Sequence, residues 1–74
     1  MSDVQGVSLK VGDRPINLTQ VLKLSGSVLS GGEAKALIAE GRVRVNGEVE
    51  LRKRRQMTVG DVVQIQGEAR IELV

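Results

Sequence analysis

The sequence predicts an α+β fold, two helices set against a small sheet. Three observations lead there. Two helix-start signals follow one another between residues 16 and 41, the apolar period switches to two from residue 42, and a second alternating stretch follows a turn at 58–61. The 74 residues read as one domain, 1–74. A chain of this length buries only roughly 60% of the surface its unfolded form exposes, so the core is thin.

VSLKV, residues 7–11, is apolar at Val7, Leu9 and Val11 and reads as a half-buried strand ended by Gly12 and Asp13. In the next stretch, PINLTQVLKLSG, Asn17 is placed to cap a helix, with Gln20 three residues on completing a capping box. Ile16 and Val21 sit as the hydrophobic staple across that cap. Leu18, Val21 and Leu22 share one face, and Gly26 stops the helix. Ser30 and Glu33 form a second capping box, with Leu29 and Ala34 as its staple. Ala34, Leu37 and Ile38 make the buried stripe of this second helix, and Gly41 terminates it.

GRVRVNGEVEL then alternates. Val43, Val45, Val49 and Leu51 are expected to face the core, and Arg42, Arg44, Glu48 and Glu50 water. A two-residue Asn46-Gly47 turn would pair Val45 with Glu48 and mix the faces. A three-residue turn pairs Val45 with Val49, Val43 with Leu51 and Arg44 with Glu50, so the longer turn is expected from burial. TVGD (58–61) is a turn, VVQIQ a strand and ARIELV a final edge strand.

Composition restricts the chemistry. Without His or Cys there is no zinc site, thiol nucleophile or Ser-His arrangement, and the acids suggest no general acid/base pair. The expectation is a non-enzyme with no cofactor. The absence of Phe, Tyr and Trp removes any aromatic platform for stacking bases, so a nucleic acid would be held through phosphates and shape. No apolar run approaches the roughly 18 residues of a membrane span. The start, MSDVQGV, lacks the pattern of a signal peptide. A cysteine-free domain this small is expected in a reducing cytoplasm, as a monomer with no membrane partner.

Charge is unevenly placed. Residues 35–55 hold seven bases against three acids, a net of +4, while the remainder carries −2. Such a dipolar distribution points to a polyanion partner more strongly than the total of +2. Gly31 and Gly32, in the first turn of the second helix, either leave its N–H groups open to a phosphate or merely shape the interhelical turn. Lys35 alone is an ordinary solvated lysine. Arg42 and Arg44 are phosphate contacts or strand-edge charges, Arg44 being neutralised across the hairpin by Glu50 in the second case. The run Arg52, Lys53, Arg54, Arg55 is different, because four adjacent cations repel at roughly 1 kcal/mol per close pair in water. Neither helix nor strand propensity requires it, and a polyanion is the favoured reading.

SGGEAKALIAEGRVRVNGEVELRKRR (30–55) followed by TVGDVV (58–63) resembles the RNA-binding domain named after ribosomal small-subunit protein four, especially its stand-alone bacterial members of the YbcJ type. The likeness runs over about residues 16–66. It implies two helices packed on a small, bent, mainly antiparallel sheet, and binding to structured RNA, with ribosomal RNA and a ribosome-associated role the class suggested. The implied RNA-binding residues are Gly31, Gly32, Lys35, Arg42, Arg44, Asn46, Arg52, Lys53, Arg54 and Arg55. Many members carry Ser-Arg at the start of the second helix, where this chain has Ser30 followed by Gly31.

Two other functions compete with this reading. VNGE followed by VGDVV also suits a ubiquitin-like protein-interaction module, although the sequence ends Glu72-Leu73-Val74 and not in the Gly-Gly of a sulfur carrier. A DNA-reading helix-turn-helix is disfavoured, since GGEAKALIAE offers one lysine and no Arg, Asn or Gln for base edges.

Overall fold

The computed structural model describes residues 6–67 and 70–74. The opening MSDVQ, read above as no signal peptide, and Ala69, placed above in the last strand, lie outside these residues.

Strand β1 (Gly6–Leu9) leads to the short β2 (Ile16–Asn17) and directly into helix α1 (Leu18–Leu24). Asn17 caps α1 as its sequence demands: its Oδ1 accepts from Gln20 N and its own N–H donates to Gln20 Oε1, both at 2.9 Å. Ile16 and Val21, the proposed staple, are both buried. Helix α2 (Gly31–Ala39) is capped by Ser30 Oγ, which accepts from Glu33 N at 3.2 Å. The return half of that box is displaced. Glu33 Oε1 accepts from Leu29 N at 2.9 Å, one residue earlier than the cap. Leu29 is 95% exposed and forms no staple, and Val28 takes the buried position instead. At the far end Gly41, at φ +74°, closes a Schellman motif, with Arg42 N donating to Leu37 O and Gly41 N to Ile38 O.

The remaining strands are β3 (Val43–Val45), β4 (Glu48–Val49), β5 (Gln56–Met57), β6 (Val62–Ile65) and β7 (Arg70–Leu73). Five of the seven described strands form a sheet in the order β1-β7-β6-β3-β4, while β2 and β5 make a separate antiparallel pair. All pairings are antiparallel except β1 with β7. The last strand, expected to be an edge, is not one, because β1 pairs along its outer side. Val7, expected to face the core, lies on that outermost strand and is exposed.

The two helices cover one face of the sheet. Leu18, Val21 and Leu22 of α1 and Ala34 and Ile38 of α2 pack in a single cluster with Val43, Val45, Val63, Ile65, Ile71 and Leu73. Those sheet residues alternate with exposed ones along their strands, so among the described residues the opposite face is bare.

The hairpin corrects the sequence reading. Asn46 and Gly47 make a two-residue turn, both at positive φ (+53° and +89°), as a type I′ turn requires. Val45 pairs with Glu48, and Arg44 with Val49 rather than Glu50. Val49 and Leu51 are consequently 48% and 62% exposed instead of buried. The turn prevails because β6 and β7 already complete the core beside β3, leaving no burial for β4 to gain. Asn46 also ties the hairpin down. Its Nδ2 donates to Asp61 Oδ1 (3.1 Å), its Oδ1 accepts from Val62 N (2.9 Å) and its backbone N–H donates to Val62 O (2.8 Å).

Replacing Asn46 by Ala removes both side-chain bonds and strains a positive φ, and is expected to cost about 1–3 kcal/mol. Urea denaturation followed by far-UV circular dichroism measures this, and Asn46→Gly, which relieves the strain but not the lost bonds, should recover part of it.

Candidate nucleic-acid interface

Four successive cations need a backbone that directs them into solvent, and the N-terminus of α1 provides it. The first N–H groups of a helix lack intrahelical acceptors. Here Leu18 N donates to Arg55 O at 3.0 Å and Thr19 N to Lys53 O at 3.3 Å, while Thr19 Oγ1 donates to the same Lys53 carbonyl at 2.8 Å. Arg55 N closes a turn onto Arg52 O at 3.2 Å. With the loop's carbonyls turned onto the helix, the side chains of Arg52, Lys53 and Arg54 are exposed and that of Arg55 is half-buried.

Glu50 then divides the four. Its carboxylate accepts from Arg52 Nε at 2.9 Å, Arg52 Nη2 at 3.1 Å and Arg52 N at 3.0 Å, and Arg55 Nε lies 3.5 Å away. The Glu50 side chain is only 11% exposed, and the Arg52 hydrogen bonds hold its carboxyl well below the usual range, at about 2. The same contacts raise the Arg52 guanidinium. Arg52 and Arg55 thus anchor the loop, whereas Lys53 and Arg54 have no carboxylate partner among the described residues.

The second helix faces the two free cations. Lys35, Ile38 and Ala39 line an open hollow of about 550 Å³ with Leu51, Arg52, Lys53 and Arg54. A neighbouring hollow shares Lys35, Lys53 and Arg54 and extends to Thr19, Gln20, Lys23 and Gly31. Lys23 was missed by the sequence reading. A Cβ on Gly31 would meet its Cδ at 4.0 Å, so this lysine lies along the start of α2. The short connection from Leu24 to Gly31 was the available signal, since it brings the last turn of α1 beside the first turn of α2.

The other predicted residues are distributed elsewhere. Gly32 follows Gly31 in the first turn of α2, where Glu33 places one negative charge. Arg42 and Arg44 line a separate groove with Gly41, Gln64, Gln66 and Gly67, and Arg42 Nη1 lies 3.6 Å from Glu40 Oε1. The side-chain amide of Asn46 is bonded to Asp61 and Val62, and Asn46 shares a fourth depression with Glu50, Arg52 and Arg55. The structure therefore joins Gly31, Lys35, Lys53 and Arg54, with Arg52 at the margin, and sets Arg42 and Arg44 apart. Among the described residues no three His, Cys, Asp or Glu side chains are grouped to hold a metal, and no helix is long and apolar enough to cross a membrane.

Comparison with known proteins bears on this surface. A profile of the S4 domain family matches residues 9–74. YbcJ of Escherichia coli K12, provisionally named an RNA-binding protein, is 43% identical over 61 residues, covering 81% of this chain and 87% of that one. RlbA of Bacillus subtilis 168, provisionally named a ribosome maturation protein, is 39% identical over 66 residues, covering 89% of this chain and 93% of its own. The solution structure of Escherichia coli YbcJ, described as revealing an "ALFAL" motif involved in RNA binding, superposes with a TM-score of 0.64 at 38% identity. That superposition covers all of this chain and 91% of YbcJ, and agrees with two helices on a mixed sheet.

Acid should loosen the basic loop in a defined window. A carboxyl depressed to about 2 in the folded state contributes stability above its ordinary value of 4.5, and that contribution is lost as pH falls towards 2. Urea midpoints followed by circular dichroism should therefore decline over this interval. Glu50→Gln should lower stability at neutral pH and flatten that part of the decline.

Proposed function

This chain belongs to the S4 domain family, and we propose that it is a non-catalytic cytoplasmic protein that grips structured RNA by its phosphates. Ribosomal RNA is the class favoured by the name of its Bacillus subtilis relative. The observation carrying this reading is the convergence of Lys35, Lys53 and Arg54 around adjoining hollows, none of them neutralised by a carboxylate among the described residues. Lys23 extends the same surface along α1.

A phosphate in this surface would meet ammonium and guanidinium groups together with the start of α2, whose partial positive charge and open N–H groups favour anions. Gly31 and Gly32 leave that approach clear. With no aromatic residue to stack on, bases contribute little, and the shape, phosphates and 2′-OH groups of an A-form helix are what such a surface can read. A monomer suffices, because all these residues come from one chain.

The triple variant Lys35→Gln, Lys53→Gln, Arg54→Gln should remain folded, since all three side chains are exposed, and should bind a fluorescently labelled rRNA hairpin far more weakly. The slope of log affinity against log salt should become shallower by roughly two to three, the phosphate contacts removed. Lys10→Gln, a change outside the surface, should do neither. If wild-type affinity is no greater than that of a basic peptide of matching charge, the protein is instead an interaction module and this reading fails.

The glycines give an independent check. A Cβ on Gly31 or Gly32 would meet only Lys23 Cδ at 4.0 Å or Ser30 Oγ at 3.8 Å, so neither glycine is required by packing. Replacing both by Ala should stabilise the fold by up to about 1 kcal/mol, through helix propensity, while weakening RNA binding. Unchanged affinity would assign them to the interhelical turn alone.

A further inference from the structure

The bare face of the sheet carries a second set of cations that the loop surface does not use. Arg44 of β3 is in register with Gln64 of β6, and Gln64 with Arg70 of β7. Cross-strand partners project from the same face, so Arg44, Gln64 and Arg70 form one row across three strands, with the two arginines about 10 Å apart at their backbones. All three are exposed, while their strand neighbours Val43, Val45, Val63, Ile65 and Ile71 are buried on the other face. Arg42 and Gln66 flank this row, joined by the bond from Gln66 N to Arg42 O at 2.9 Å. Val49 and Gly6 end the row, so no carboxylate lies in it. Among the described residues one acid, Glu72, lies on this face, two residues along from Arg70.

The helices lie on the opposite side, packed against the buried face, and Lys35, Lys53 and Arg54 line hollows beside them. A stiff duplex laid along the loop surface therefore leaves the arginine row pointing away from it. We propose that the sheet face is a second RNA-binding surface. Arg44 and Arg70 take phosphates of another RNA segment, and Gln64 and Gln66 donate to and accept from its 2′-OH groups and base edges. The domain is then a clamp between two RNA segments rather than a reader of one. Charge selects the occupant: arginine suits phosphate through its planar fork of donors, and the carboxamides between can pair with ribose or base but carry no charge of their own. This inference rests on the RNA-binding reading above.

The test is a titration of ¹⁵N-labelled protein with a short blunt-ended RNA duplex, followed by NMR. Signals of Lys35, Lys53 and Arg54 should shift first, and those of Arg44, Gln64 and Arg70 in a second phase as a further duplex binds. In a pull-down, wild-type protein should bring a labelled duplex to an immobilised one. Arg44→Gln with Arg70→Gln should abolish the second phase and the bridging, leaving the first phase and the circular dichroism spectrum intact. A single phase confined to the loop surface, with no bridging, overturns the sheet-face proposal and leaves the loop reading standing. Shifts at the sheet face produced by polyglutamate but not by RNA would also overturn it, in favour of an acidic protein partner. Absence of any duplex binding would remove both readings. Because the titration uses wild-type protein, it decides the matter even if the double variant fails to fold.

Discussion

The arrangement of the cationic surface depends on two unpaired N–H groups at the start of α1. Leu18 and Thr19 have no acceptor within their own helix and take the carbonyls of Arg55 and Lys53 instead. That exchange satisfies the helix end and fixes a loop that its own charges would otherwise drive apart. The Thr19 hydroxyl strengthens the joint by donating to the Lys53 carbonyl. The pairing of β2 with β5 continues it, placing Met57 against Ile16 in the core and Gln56 beside the Asn17 cap. The loop is thus held from behind by main-chain bonds and a buried side chain, and its cations are free to face outward.

Glu50 completes this arrangement from the opposite end of the loop. Two arginines converge on one mostly covered carboxylate, which reduces the repulsion within the run and leaves the other two cations unneutralised among the described residues. The tight hairpin puts Glu50 there. In the longer-turn register Glu50 would have paired with Arg44, and Arg52 and Arg55 would have lacked their anchor. The exposed Val49 and Leu51 are the cost of the turn, and Leu51 gives the cationic hollow an aliphatic wall.

The fold is two layers thick, and that thinness separates the positive charge into two regions. Helices shield one face of the sheet and lie beside the loop cations, while the other face has no covering element among the described residues and carries its own arginines. The charge asymmetry visible between residues 35–55 and the rest of the chain is real, but it does not correspond to one continuous side. Lys23 and Arg70, both outside that segment, extend the two surfaces, whereas Arg52, Arg55 and Asn46, all inside it, are largely occupied in holding the structure together.

Local chemistry was enough to read both helices. Asn17 with Gln20, Ser30, and the stops at Gly26 and Gly41 act through contacts within a few residues, so the sequence alone determines them. The same holds for the inward faces of α1, α2 and β3, the turn at 58–61, and the candidacy of Lys35 and the 52–55 run. Only the tertiary structure decided the hairpin register, because the competing burial of Val49 and Leu51 had value only if the core still had room. It likewise decided that β7 is flanked by β1, a pairing between the two ends of the fold that no local pattern encodes. Which cations remain free depends on where Glu50 comes to rest and which helix N–H groups claim the loop's carbonyls. Those are distances between residues far apart in the chain, and they exist only once the core has closed.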